Sequence, residues 1–409
     1  MATLKKSISP IDGTRTATTE YFYDDEGRLE RTLDPLGGES RQHYDDEGRM
    51  DESTDARLVK TQMRYDGRGR MEKTIDGNLN EIETIYGDVT NALEGLVSGR
   101  KYPTYEETYK YDQMDRQVET KQVLSSTLSY ISSMTYDAVG QVESQTDAKR
   151  RTSLRKYDEL RRLTKEIDPI LGETSYTYDE RDNLRTVTDA EGNTHTFTYD
   201  RLNRKKTEAR PMGQTIGYEY DANGNLRERT SPNGAKRKFY YDDDNRLELE
   251  EHFLPATTTA SKIMRYTYDQ RGLLKTYDDG LTSGLYVYND KGEKTSESIT
   301  FGRGAAAFTK TIGRTYELNG LPKTMTYPGT TGTLNFTYDD NNQLKTYKIP
   351  GLAANNDTLT YQYRWNAIRE ITMPGNLMRT VTLDALQRPK RIEVKGYGST
   401  PGNNGVPVI

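Results

Sequence analysis

The chain has 409 residues, with 58 Lys and Arg against 63 Asp and Glu, a formal net charge of −5, and no cysteine. Near-balanced charge excludes a nucleic-acid binder that works through a strong basic field, and the missing cysteine excludes disulfides, thiolate metal sites and a cysteine nucleophile. Hydrophobic residues make up 32% of the chain, well under the roughly 45–50% of ordinary globular domains, so the chain is either disordered or folded into something too thin to need a thick core. Disorder is the weaker reading, because disordered chains lack aromatics and this one has 31 tyrosines.

Residues 1–19 read as a lead-in. Their first ten residues, MATLKKSISP, hold no apolar stretch of the kind a signal peptide needs. No window of the chain approaches the 18 or so apolar residues of a membrane span.

From residue 20 to 395 the tyrosines keep a fixed period. Tyr23, Tyr44, Tyr65 and Tyr86 are 21 residues apart, and so are Tyr136, Tyr157, Tyr178, Tyr199, Tyr220 and Tyr241. The register continues through Tyr111, Tyr268, Tyr288, Tyr316, Tyr338 and Tyr363 to Leu383, where leucine stands in for tyrosine. This gives about 17 units of 20 to 28 residues. A period in this range means one small unit stacked many times. A minimum length with occasional additions is what fixed strands with variable loops produce.

Each unit reads as a β-hairpin followed by a second turn. In Ser175-Tyr176-Thr177-Tyr178 small polar residues alternate with aromatics, the period of a half-buried strand. Asp179 to Asp182 then reads as a tight turn, Leu184–Thr188 as the returning strand, and Asp189 to Asn193 as the link to the next unit. Four residues after the anchor comes a residue that enters the left-handed region cheaply: Gly27, Gly48, Gly69, Gly140, Gly224, Gly272, Gly292 and Gly320, with Asp115, Asp182, Asn203, Asn245 and Asn342 elsewhere. Thr90, Arg161, Ala367 and Gln387 are the exceptions. The Asp after the tyrosine is placed to accept from turn amides two residues on. A second aromatic often sits two positions before the anchor, on the same face of the strand, as at Tyr21, Tyr109, Tyr176 and Phe197. The expected fold is all-β: hairpins side by side in one long antiparallel sheet of about 34 strands. Open sheets of that length curl, so the sheet is expected to spiral into a tube or partial shell.

The segments Tyr23–Leu29, Tyr44–Met50 and Tyr220–Leu226 (YDDEGRL, YDDEGRM and YDANGNL) resemble the YD repeat. That family includes bacterial Rhs proteins, the B and C subunits of insecticidal toxin complexes, and teneurins. The resemblance implies a spiralling β-sheet that closes into a hollow shell, which in bacterial members encloses a C-terminal toxin. The family's C-terminal plug and self-cleaving aspartyl site have no counterpart in this sequence. Asp34-Pro35 and Asp168-Pro169 lie mid-repeat and read as turn residues.

Nothing assembles an active site. His43, His195 and His252 stand in different registers, and acidic turns such as Asp242-Asp243-Asp244 lack the ordered spacing of a dedicated calcium loop. No cofactor is expected. Three insertions, Leu254–Lys262, Phe301–Lys310 and Pro350–Thr358, are candidate binding loops. The second carries Arg303 and Phe308 around Ala305-Ala306-Ala307. Residues 396–409 read as a Gly/Pro-rich tail. The expectation is a non-catalytic wall, secreted or at the cell surface, that takes a protein cargo or a partner shell segment. The alternative is a carbohydrate-binding adhesion module with its tyrosine rings turned to sugars.

Overall fold

The computed structural model describes residues 3–87, 94–329, 332–352 and 357–396. Thr90, part of the Pro350–Thr358 insertion and residues 397–409 lie outside the described residues. Among the described residues 35 strands form one sheet. Every strand pairs antiparallel with the strands before and after it in the chain. The only helical segments among the described residues are three single 3-10 turns.

The first five strands display the whole design: β1 (Thr3–Pro10), β2 (Thr16–Tyr23), β3 (Leu29–Leu33), β4 (Glu39–Tyr44) and β5 (Met50–Thr54). The segment read as a lead-in is thus already sheet, because β1 pairs with β2 from Thr3↔Tyr23 to Pro10↔Thr16. Lys6 pairs across this ladder with Glu20, and Lys5 lies 4.9 Å from the Tyr23 ring centroid.

Two kinds of turn alternate. In the first, Asp24 and Arg28 close the loop: the Gly27 amide donates to the Asp24 carbonyl (3.1 Å) and the Asp24 amide to the Arg28 carbonyl (2.9 Å). Gly27 takes φ +81°, the left-handed conformation this loop requires. Arg161 and Gln387 are driven to φ 66° and 62° at the same position. The second turn, Asp34 to Gly38, repeats this hydrogen bonding.

The hairpins differ in register. Where Phe22 faces Arg31, Tyr23 faces Leu29, so Glu30 is an extra residue. The same shift recurs at every anchor from Tyr23 to Leu383. A bulge bends its strand and increases its twist, so a bulge in every unit curls the sheet by repeated increments.

The curl brings the sheet back onto itself. Second turns of early units meet first turns of late units along a seam. Lys291 Nζ lies 2.9 Å from Asp34 Oδ2. Asn319 and Asn342 donate to Asp55 Oδ2 at 3.0 and 2.7 Å, and Asn341 donates to Asp76 Oδ2 at 3.0 Å. Thr104 donates to the Ala385 carbonyl at 2.6 Å. The approach is close: a Cβ on Gly77 would fall 1.6 Å from the Asp340 carbonyl oxygen. Asp34 lies between β3 and β4, and Lys291 between β26 (Thr282–Tyr288) and β27 (Lys294–Phe301), so one circuit takes 23 strands (26 − 3). At ~4.8 Å per strand the circumference is about 110 Å and the diameter about 35 Å. The result is a tube wall one sheet thick. Its buried hydrophobic residues are Ile11, Ala17, Met63, Ile216 and Val381, which is why so little apolar material suffices.

Replacing Gly48 by alanine should cost roughly 1–2 kcal/mol in a urea melt, because Gly48 sits at φ +81° with Arg28 Nη1 3.0 Å from the position of an added Cβ. Arg161→Gly at the equivalent position should stabilise the chain, and equal melts for both variants and wild type would refute this account of the turn.

Candidate functional site

The repeated chemistry of the wall is a latch between units. At the bulged end β3 and β4 separate, since their ladder runs only from Leu33↔Glu39 to Arg31↔Arg41. The Leu29 carbonyl therefore lacks a backbone partner in β4, and the Tyr44 hydroxyl donates to it at 2.9 Å. Tyr65 does the same to Met50 (2.7 Å), Tyr111 to Val97 (2.7 Å), Tyr136 to Gln117 (2.9 Å), Tyr157 to Val142 (2.9 Å) and Tyr178 to Leu163 (2.8 Å). Tyr199, Tyr220, Tyr241, Tyr268 and Tyr338 reach Leu184, Lys205, Leu226, Leu247 and Pro322 at 2.6–3.0 Å. Tyr23, with no bulged hairpin before it, donates to none. Burial raises the phenol pKa of Tyr44 and of Tyr199, so each stays a donor.

The rest of the motif serves the same joint. Asp24 Oδ1 accepts the Glu26 and Arg28 amides at 3.0 and 2.8 Å, and its Oδ2 holds Arg28 Nε at 2.7 Å. Held there, the Arg28 guanidinium lies 4.6 Å from the centroid of the Tyr44 ring. Arg49 covers Tyr65 (4.6 Å), Arg116 covers Tyr136 (4.6 Å), Arg162 covers Tyr178 (4.7 Å) and Arg204 covers Tyr220 (4.7 Å). A neutral hydrogen bond contributes about 0.5–1.5 kcal/mol and an exposed cation–π contact about 0.5–1 kcal/mol. Each unit is thus tied to the next by a few kcal/mol, in the nearest-neighbour manner of repeat proteins.

The glycines Gly27, Gly48, Gly69, Gly140, Gly224, Gly272, Gly292 and Gly320 take φ between +79° and +94°. Arg303 is committed within the chain: it contacts the Asp278 carboxylate, and its Nε donates to the Gly280 carbonyl at 3.0 Å. Phe308 stacks on Phe301 at 5.2 Å and remains 56% exposed. His43 pairs with Asp51 at 2.6 Å and His252 with Glu250 at 2.5 Å, in separate units. The Asp242 carboxylate is occupied by the Asp244 and Arg246 amides and by Arg246 Nε. Among the described residues no three His, Cys, Asp or Glu side chains gather as a metal site, and no helix is long and apolar enough to cross a membrane.

Sequence reasoning missed both halves of the latch. Each recurs at one spacing in the units of minimal length: Leu29–Tyr44, Met50–Tyr65 and Leu163–Tyr178 are each 15 apart, and Arg28–Tyr44 and Arg49–Tyr65 are each 16 apart, while units with longer loops stretch it, as at Gln117–Tyr136, 19 apart.

Residues 73–244 match the family model described as Teneurin YD-shell. No curated protein matches the chain. Among solved structures, TcdB2-TccC3-TEV superposes with a TM-score of 0.67 at 15% identity, over 95% of this chain and 26% of that one. TcdB2-TccC3 without its hypervariable C-terminal region gives 0.69 at 15% identity, over 94% and 23%. The Photorhabdus luminescens Tc holotoxin pore gives 0.51 at 15% identity, over 93% and 23%. The chain therefore spans about a quarter of the length of the solved chains it resembles. The resemblance to the YD-repeat and Rhs family stands, and the fold is that of a YD shell wall, all-β and built from one antiparallel sheet.

Tyr199→Phe should cost about 0.5–1.5 kcal/mol in a urea melt, because it orphans the Leu184 carbonyl, whereas Tyr23→Phe should cost nothing measurable. Equal losses would show that the hydroxyl contact is incidental. Acid should weaken the turns. The Arg151 side chain first, then its amide, lowers the Asp147 carboxyl from 3.8 to about 2. A depressed folded pKa means that this cap contributes fully above pH 3.8 and is lost as pH falls towards about 2. Urea midpoints of wild type and Asp147→Ala should differ at neutral pH and converge near the bottom of that window. A constant gap would refute the role of the charge.

Proposed function

We propose that the protein is a non-catalytic section of shell wall that encloses or supports a protein cargo, within an assembly that is exported or displayed at the cell surface. The observation that carries this reading is the seam: a single sheet meets its own edge after one circuit and so bounds a lumen. With side chains lining the wall on both faces, that lumen is about 25 Å across, taking about 10 Å for a sheet's thickness. It suits an extended or collapsed polypeptide better than a folded domain. Further wall from a partner segment would lengthen it, consistent with the greater length of the solved chains that share the fold.

The chemistry of the wall fits a mechanical role. Turn aspartates such as Asp24 and Asp45 are spent on capping, and turn arginines such as Arg28 and Arg49 on stacking. The carbohydrate reading needs open tyrosine faces, and arginines already lie over those of Tyr44, Tyr65, Tyr136, Tyr178 and Tyr220.

Class averages from negative-stain electron micrographs of the purified chain should show a ring or a C with a stain-filled centre, about 35 Å across between wall midlines. A filled particle of the same mass would end the reading.

A further inference from the structure

We propose that the tube opens along its seam as a unit, with the hairpins intact, so that the wall exists in a closed and an unrolled form. The reason is the contrast between the two kinds of joint in the same sheet. Along the ribbon, each strand is held by a backbone ladder, a tyrosine latch and, in many units, an arginine stacked on the next ring. Among the described residues no backbone ladder and no tyrosine hydroxyl bond crosses the seam. What holds it are scattered contacts, among them Asp34 with Lys291, Asp55 with Asn319 and Asn342, Asp76 with Asn341, Thr104 with the Ala385 carbonyl, the Arg57 guanidinium 5.3 Å from the Tyr338 ring, and the Tyr102 ring 5.8 Å from Trp365.

These are side-chain contacts between turn tips, and the turns do not depend on them. In each of the three aspartates Oδ1 caps its own turn, for example by accepting the Leu36 and Gly38 amides at 2.9 and 2.8 Å in Asp34. The seam uses Oδ2. In Asp34 and Asp55 one carboxylate oxygen builds the hairpin and the other closes the tube, and in Asp76 the second oxygen also keeps Asn80 of its own turn at 2.9 Å, so the seam bonds can break without disturbing the caps. The units from Val142 to Asp278 pack on their neighbours in the sheet and absorb the change as a small difference in curvature per hairpin. Local opening of this sort draws on the weakest contacts in a structure. Because it concerns the wall alone, it holds whether or not the lumen carries a cargo.

The chain supplies its own reporter. Trp365 is the single tryptophan, and it sits at the seam beside Tyr102. In a urea titration of the full chain, Trp365 emission should shift at lower urea than the far-ultraviolet β-sheet signal is lost, and the radius of gyration from X-ray scattering should rise with the first change. Non-coincident transitions are the signature of a state between closed and unfolded. Gly77→Ala should displace chiefly the first change, raising the open fraction about tenfold or more, since the new methyl would strike the Asp340 carbonyl oxygen at 1.6 Å, much harder than it meets Val59 Cγ1 at 2.9 Å, while Gly77 itself is not in the left-handed region. Asp55→Asn keeps an oxygen for the turn amides and weakens the seam, and should act in the same direction to a smaller extent. Coincident loss of both signals in wild type and in Gly77→Ala would overturn the proposal. So would a Gly77→Ala protein with unchanged dimensions and unchanged Trp365 emission.

Discussion

The structure depends on one hydrogen bond, from the anchor tyrosine hydroxyl to the carbonyl of a bulged strand in the preceding hairpin. A bulge is needed to curl the sheet, yet it pulls adjacent hairpins apart at one end and leaves a carbonyl without its ladder donor. An unsatisfied backbone group is costly. Tyrosine answers both needs: its ring spans the gap and its hydroxyl reaches the stranded oxygen, as Tyr44 does at Leu29 and Tyr199 at Leu184. Phenylalanine could fill the gap and could not make the bond. That accounts for a tyrosine, and never a phenylalanine, at every aromatic anchor from Tyr23 to Tyr363.

The remaining motif residues follow from this one. The aspartate after the tyrosine caps the tight turn and fixes the arginine, the residue four past the tyrosine enters the left-handed region, and the arginine roofs the next ring. Stability is thereby spread along the ribbon, with no central core. Two long loops keep to the same economy: Arg303 ties its hairpin to the turn at Asp278 and Gly280, and Ser261 returns to the His252 carbonyl at 2.7 Å.

Much of the fold was legible in the sequence because its decisive contacts are local. The tyrosine period, the alternation in Ser175–Tyr178 and the glycines such as Gly27 fix strands and turns within a few residues of themselves. The hydroxyl's target was harder, because a propensity argument treats tyrosine as an aromatic and says nothing of where its oxygen goes. The seam was illegible for a different reason. It joins residues more than 250 positions apart, such as Asp55 and Asn342, and only the sum of many small bends decides which turns meet. Its trace is a change at the third residue after the anchor, which becomes Lys291, Asn319 and Asn341 in late units where Glu26 and Glu47 stand in early ones.

Because the ring closes by matching particular turns, its girth is set by a count of repeats. Lengthening a hairpin tip leaves that count alone, and the chain has done so several times. Gaining or losing a whole repeat between Asp76 and Lys291 would rotate every later turn past its mate, setting Gly77 against a different neighbour from the Asp340 carbonyl it now accommodates. Descent in such a lineage should therefore be free in loop length and stepwise in circumference.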